Sequence, residues 1–484
     1  MHRLLSSGGQ PTVLIRIYAK VISMRYRFLI HIALISFCFS FLNRAAGQGI
    51  GLTLIPPSVI TNKADLDIRA GIYNSGGQEK QVEVLVYFNN ENQEALLFRK
   101  KITVDANSTR CVKFIMPTAD KVGDNRIILV VRGKDYRQSV EKPIRIIESK
   151  IRSTQTIDGA WTGLYHWSET EGKMWNPALQ KMTDDQWKEL VQSMHKIGMD
   201  IIVIQEAFRN EAYVDKHRIE QEGYHGKAFY PSKLYSGRMS ITAHDPIEAI
   251  LSEADKLGMN VLVGVGMYAW FDFTQASLEW HEKVAGELWE RYGHHRSFYG
   301  WYVSEENSGG LDAYATSDPD RIRRQNDMIN FFKGFKTFCM ALAPDKPVML
   351  ATSSFDVPKA EKVYPELLKN LDILCPFGFA RMPKGDLSGV QAAQKLQKLC
   401  DDAHTHLWFD LEAFLFHREG YLYPRPINEI VHDLTLFDNF EKILCYQYPG
   451  VFSNPGMSIR LGEESTVKLY IDYQNYIKNK QTSR

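Results

Sequence analysis

The sequence predicts an α/β fold: a (β/α)8 barrel preceded by a small all-β sandwich of the immunoglobulin-like kind. Three observations carry that expectation. Between about residues 50 and 148 apolar residues alternate in short runs, with turn clusters between them and no amphipathic helix. From residue 157 the texture changes to strand followed by helix, eight times over about 320 residues. No glycine-rich phosphate loop follows any of those strands, which argues against a doubly wound open sheet.

The chain opens with a basic segment, Met24-Arg25-Tyr26-Arg27, then an apolar run over 28–42, then Asn43-Arg44-Ala45-Ala46-Gly47-Gln48. That is the tripartite pattern of a signal peptide cleaved near Gly47, with residues 1–23 as an upstream extension. The apolar run is short for a bilayer span, so no stable membrane span is expected after cleavage. Cys38 lacks the small residues that precede a lipidated cysteine. The mature chain is therefore expected to be secreted or periplasmic, with cell-surface association left open.

Residues 48–150 hold the expected sandwich. Alternating runs fall at 66–73, 81–88, 95–104, 110–116, 126–131 and near 143–147. Turn clusters such as Asn74-Ser75-Gly76-Gly77 and Lys121-Val122-Gly123-Asp124 separate them. No catalytic constellation occurs there.

Residues 157–480 supply the barrel. Its strands are expected at 159–165, 199–205, 260–268, 298–306, 347–354, 372–377, 405–412 and Lys442–Tyr446. Thr183 opens the first helix and Gly198 closes it; Asp245-Pro246 opens the second, with proline in the first turn, and Gly258 stops it. A long helix over about 318–343 follows the fourth strand, and a final one lies near 464–477. The longest strand-to-helix loop, 206–244, carries Tyr213, Tyr224, Tyr230 and Tyr235; it fits a cleft wall and a structural excursion equally.

With 58 Lys+Arg against 57 Asp+Glu, the chain has no basic surplus for a polyphosphate, so nucleic acid is not an expected partner. Cys111, Cys339, Cys375, Cys400 and Cys445 are odd in number and far apart, which suits buried free thiols better than a disulfide framework or a zinc site. His166 and His417 have no partner at ligand spacing, so neither a metal nor another cofactor is expected.

Strand periodicity then selects the candidate chemistry. In Gly300-Trp301-Tyr302-Val303-Ser304-Glu305-Glu306, Trp301 and Val303 form the outward apolar set. Gly300, Tyr302, Ser304 and Glu306 face the axis. In the seventh strand Leu407, Phe409 and Leu411 face outward, so Trp408, Asp410 and Glu412 face inward. Strands four and seven each deliver a glutamate to one mouth. Two such carboxylates suit glycosidic cleavage, which needs one protonated acid at the departing oxygen and one ionised carboxylate.

The Gly-Trp-Tyr run with Glu306 four residues after its tyrosine, together with Leu407-Trp408-Phe409-Asp410-Leu411-Glu412-Ala413-Phe414, resembles a family of bacterial secreted TIM-barrel proteins of unknown function. More widely it is similar to the clan A retaining glycoside hydrolases, over roughly residues 157–480. The resemblance implies that Glu306 is the acid/base and Glu412 the nucleophile. One position departs: clan A enzymes usually place asparagine, a contact of the sugar 2-hydroxyl, where this chain has Glu305. That leaves open a role for Glu305 itself.

Trp161, Tyr268, Trp270, Tyr302 and Tyr446 lie on or just past strand ends, as candidates to stack on sugar rings. Gln205, Asp410 and Gln447 are candidates to bond hydroxyls. The expectation is a retaining hydrolase acting on an extracytoplasmic poly- or oligosaccharide. The alternative, a glycan-binding protein on a barrel that has lost catalysis, draws on the missing asparagine.

Overall fold

The computed structural model describes residues 49–210 and 224–482, so the expected signal peptide and Tyr213 lie outside the described residues. Eight strands come first, in two sheets. β1 (Ile50–Ile55), β3 (Leu66–Asn74) and β6 (Ser108–Met116) pair antiparallel in the order β1-β3-β6. β2 (Ile60–Thr61), β4 (Lys80–Phe88), β5 (Leu96–Val104), β7 (Gly123–Arg132) and β8 (Arg137–Ile147) form the other sheet, ordered β2-β8-β7-β4-β5. Alternation builds the layers. Val82, Val84 and Val86 of β4 share one buried core with Leu52, Ile68 and Ile72 of the opposite sheet, which makes the pair a sandwich.

The barrel strands are β9 (Gly159–Thr162), β10 (Ile201–Ile204), β14 (Asn260–Gly264), β15 (Phe298–Asn307), β16 (Val348–Thr352), β17 (Ile373–Leu374), β18 (His406–Glu412) and β21 (Lys442–Tyr446). All pairs are parallel, neighbours follow chain order, and β21 closes on β9. Loop excursions supply the rest: β11 (Phe208–Asn210), β12 (Gly226–Ala228) and β13 (Gly237–Arg238) after β10, then β19 (Phe414–Phe416) and β20 (Leu422–Pro424) after β18. Several strands are shorter than their apolar runs, because the runs continue as buried loop.

Helix ends fall where capping chemistry puts them. Thr183 and Gln186 form a capping box ahead of the helix Asp184–His195. Asp245 caps the helix Pro246–Leu257, and Gly258 ends it at φ 70°.

Trp161, Val203, Leu262, Tyr302, Met349 and Trp408 fill the barrel interior, and Ile55 of the sandwich packs into that same cluster. The sandwich thus closes the end of the barrel where the strands begin. The Tyr299 hydroxyl donates to the Leu54 carbonyl at 2.8 Å, and Thr53 Oγ1 donates to Asp345 at 2.7 Å. A side chain at Gly51 or Gly71 would collide with that Asp345 carboxylate, 2.5 and 2.4 Å from their would-be Cβ positions.

A buried ionic network joins the two parts. Arg69 pairs with Asp67 and, across the boundary, with Asp372, both at 2.7 Å, and Lys336 reaches Asp372 at 2.8 Å. His406 bonds Glu441 at 2.7 Å and lies 3.6 Å from Asp67. Burial alone would depress the His406 pKa, but Glu441 and Asp67 more than reverse this and raise it from 6.5 to about 9.

A raised histidine pKa contributes stability in full below about 6.5 and loses it as pH rises through about 9. His406→Gln should therefore cost roughly 3 kcal/mol of unfolding free energy near pH 6. By pH 10 wild type and variant should converge. Urea denaturation at both pH values measures this, and a pH-independent difference would contradict it.

Candidate active site

The pair of glutamates is placed by strand parity and then by a departure from it. On β18, Leu407, Phe409 and Leu411 enter the outer core between barrel and helices, Trp408 enters the interior, and Asp410 is buried behind Glu412 at the strand end. On β15, Trp301 and Val303 face outward and Tyr302 inward, as alternation requires. Two irregularities interrupt β15. Near its start the register slips, and Tyr299, rather than the expected Gly300, fills the axis. Near its end Val303 pairs with Leu350 but Asn307 with Thr352, so Ser304-Glu305-Glu306 lies in a bulge.

The bulge separates the two adjacent glutamates. Glu305 is buried, and its Oε1 accepts the backbone N–H groups of Tyr268 at 2.7 Å and Ala269 at 3.3 Å. It fixes the loop after β14 and is committed to the backbone, which argues against the substrate-binding role that the sequence leaves open for it. Glu306 instead interacts electrostatically with Glu412, Arg381 and Glu171.

Arg381, on the loop after β17, clamps Glu412. Its Nε donates to both carboxylate oxygens, at 2.8 and 3.0 Å, and its Nη2 lies 2.6 Å from Oε1. The guanidinium rests 5.1 Å from the centre of the Phe355 ring. Among the described residues, no cation bonds Glu306 in this way, and Arg381 acts on it only at a distance. Burial first, then the Glu412 charge, push its pKa up to about 7, with Arg381 opposing. Burial, then Glu412 and Glu306, also raise Asp410 well above the carboxylate range.

A further acid stands beside them. Burial raises Glu171, on the loop after β9, to about 7. It lies 3.7 Å from His166 Nε2, and burial lowers His166 to about 3, so that imidazole is neutral. The Tyr446 hydroxyl is 3.3 Å from the same nitrogen. Glu206, the residue after Gln205, is buried and ion-paired with Arg209. Sequence reading missed Glu171, Glu206 and Arg381. Glu206 carried a signal, since it ends an apolar strand; the other two sit on loops with no period to follow.

Of the other expected residues, the structure gathers most. Among the described residues, Gln205 Oε1, Asp410 Oδ1 and Gln447 Nε2 are buried polar atoms without a hydrogen-bond partner, as are Ser304 Oγ and Trp408 Nε1. Trp161 and Tyr302, expected to stack on sugar rings, are instead fully buried in the interior core, where they meet edge to face at 5.7 Å. Tyr446 is half-buried against Phe414, and half-buried Trp270 meets Trp167 at 5.2 Å on the rim.

Tyr268 is placed elsewhere. It is wholly buried among Phe208, Tyr224 and His281, with ring centres 5.3, 4.7 and 4.6 Å away, because the loop after β14 folds outward under Glu305. Tyr224, Tyr230 and Tyr235 are also buried; Tyr235 stacks on Phe208 at 3.7 Å and Tyr224 meets Trp280 edge-on at 5.3 Å. The described part of the long loop is thus packing against the helix layer. All five cysteines among the described residues are free, four of them buried.

The model of a family described as a domain of unknown function, DUF4434, matches residues 157–458, the whole span that carries the glutamate pair. The chain belongs to that family. No curated protein matches the chain. Among solved structures it is similar to a candidate α-L-fucosidase from Bacteroides thetaiotaomicron, at 16% identity and a TM-score of 0.49, covering 67% of this chain and 95% of that one. It is also similar to a β-glucuronidase from Bacteroides uniformis, at 12% identity and a TM-score of 0.39, covering 89% of this chain and 50% of that one, so the DUF4434 chain spans half that enzyme's length. A β-galacturonidase from Eisenbergiella tayi matches at 9% identity and a TM-score of 0.38, covering 89% and 71%. The barrel assignment rests on the strand pairing of this chain itself.

A carboxyl whose pKa is raised in the fold loses stability as pH climbs past its unfolded value, here from 4.5 to about 7. Glu306→Gln removes the charge that the site disfavours. It should raise unfolding free energy by on the order of 2 kcal/mol at pH 8, with no gain at pH 4. Thermal unfolding at the two pH values measures this; a variant less stable than wild type at pH 8 would contradict the assignment.

Proposed function

We propose that this DUF4434 protein is a secreted retaining glycoside hydrolase that cleaves an extracytoplasmic poly- or oligosaccharide by double displacement. The observation that carries the reading is the asymmetry of the pair: Glu412 is clamped by Arg381, while the neighbouring Glu306 is pushed up to about 7. Glu412 attacks the anomeric carbon as Glu306 gives its proton to the departing oxygen. Forming the ester removes the Glu412 charge, one of the three causes that keep Glu306 protonated, beside burial and the Glu171 charge. Glu306 is then a better base for the water that releases the sugar, and Glu412 leaves as carboxylate. Gln205, Asp410 and Gln447 bind sugar hydroxyls, and Trp270 and Tyr446 offer ring faces at the rim.

One observation favours a second reading. Glu305, in the place of the usual asparagine, is buried with Oε1 bound to two backbone amides. A barrel that binds glycan without cleaving it would tolerate that change.

The test is hydrolysis of a panel of p-nitrophenyl glycosides and polysaccharides by the purified protein, with Glu306→Gln and Glu412→Gln alongside. Each variant should lose at least about a thousandfold in kcat/KM with binding retained. The wild-type rate should fall as pH rises through about 7, where Glu306 gives up its proton. Glycan binding without turnover would favour the second reading, and undiminished turnover in both variants would exclude the proposed roles. Secretion is tested by the N-terminal sequence of the exported protein, expected to begin next to Gly47.

A further inference from the structure

Away from the glutamate pair, one cluster brings two imidazoles and a carboxylate together. Glu248 lies in the first turn of the helix Pro246–Leu257; His294 and His295 lie in the turn before β15. One ligand atom from each residue falls within 4.8 Å of the other two. His295 is nearly buried, whereas His294 and Glu248 reach solvent, which gives an ion a way in.

We propose that Glu248, His294 and His295 form a zinc-class metal site that pins this turn to the helix. The hydrogen bonds that would hold the ligands are already in place. Asp255, two helical turns after Glu248, accepts from His295 Nδ1 at 2.8 Å, and the Ser297 N–H holds the other Asp255 oxygen at 2.7 Å. That contact aims His295 Nε2 at Glu248, 3.1 Å away, and a carboxylate behind a ligating histidine fixes the ring and strengthens it as a donor. The His294 ring stands 4.2 Å from the His295 ring. A tetrahedral ion needs ligand atoms about 3.3 Å apart, so a small rotation of the exposed His294 side chain completes the set.

The donor set selects the metal class. Two nitrogens and one carboxylate suit zinc and its first-row neighbours, whereas calcium and magnesium prefer all-oxygen shells. Two carboxylates, Glu248 and Asp255, balance a divalent charge. Three protein ligands leave a fourth position for water. Glu248 and the histidine pair are far apart in the chain and meet only through packing, so no local spacing announces the site. The site lies at the start of β15, and Glu306 near its end, so the inference stands or falls independently of the proposed hydrolysis.

Calorimetric titration of the EDTA-treated protein with Zn2+ tests it. Wild type should take up one equivalent and unfold at a higher temperature once loaded. His294→Ala and Glu248→Gln should each weaken binding at least about tenfold, and Asp255→Asn by about 10–100-fold. His294 is exposed, so its replacement leaves the fold intact and keeps the test decisive. No uptake by wild type, or uptake that either ligand variant leaves unchanged, would overturn the site.

Discussion

Two like charges confined to one barrel mouth govern this molecule. Burial acts first on Glu306 and the Glu412 charge second, and both disfavour its ionised form. The fold must break the symmetry between Glu306 and Glu412, and it does so with one cation. Arg381 spends its fork on Glu412, and Glu306 is left to burial and its neighbour's charge. The asymmetry comes from loops, and the barrel supplies only the proximity. Asp410 and Tyr446 feel the Glu306 charge, and the Glu171 charge acts on Glu306 and Tyr446, so these groups share one field.

Holding that unit in place requires a rigid floor. The barrel interior is packed solid by aromatic and branched side chains, and Ile55 from the sandwich is one of them. The boundary is sealed by charges as well as contact, with Arg69 reaching Asp372 and His406 set between Glu441 and Asp67. Glycines at 51 and 71 exist because the Asp345 carboxylate lies against their backbone. The sandwich is therefore part of the barrel's construction, which is why residues 48–484 form one compact unit. The open end, by contrast, collects buried polar atoms that no group among the described residues satisfies, such as Asp410 Oδ1 and Gln447 Nε2. Such atoms suit polar ligands better than packing.

What could be read from sequence was whatever followed a period. Eight strand–helix units gave the barrel, and alternation in β18 placed Trp408, Asp410 and Glu412 on the axis and Leu407, Phe409 and Leu411 outside. Alternation in β15 worked for Trp301, Tyr302 and Val303 and broke at both bulges, which a pattern of residue types does not reveal. Tyr268 leaves the rim because the loop after β14 turns outward and buries its ring, and Glu305, off the axis as alternation requires, serves that loop's amides. Arg381 and Glu171 escaped notice because loop geometry brings them in. The histidine pair at 294–295 escaped because its carboxylates come from a neighbouring helix.

The most direct measurement is covalent trapping. A 2-deoxy-2-fluoro glycoside with an activated leaving group, of the sugar that the protein hydrolyses, slows release of the glycosyl-enzyme and leaves an adduct for peptide mass mapping. Double displacement predicts one sugar on the peptide that carries Glu412, and none in Glu412→Gln. An adduct on a different residue, or no adduct in a protein that hydrolyses the parent glycoside, would contradict it.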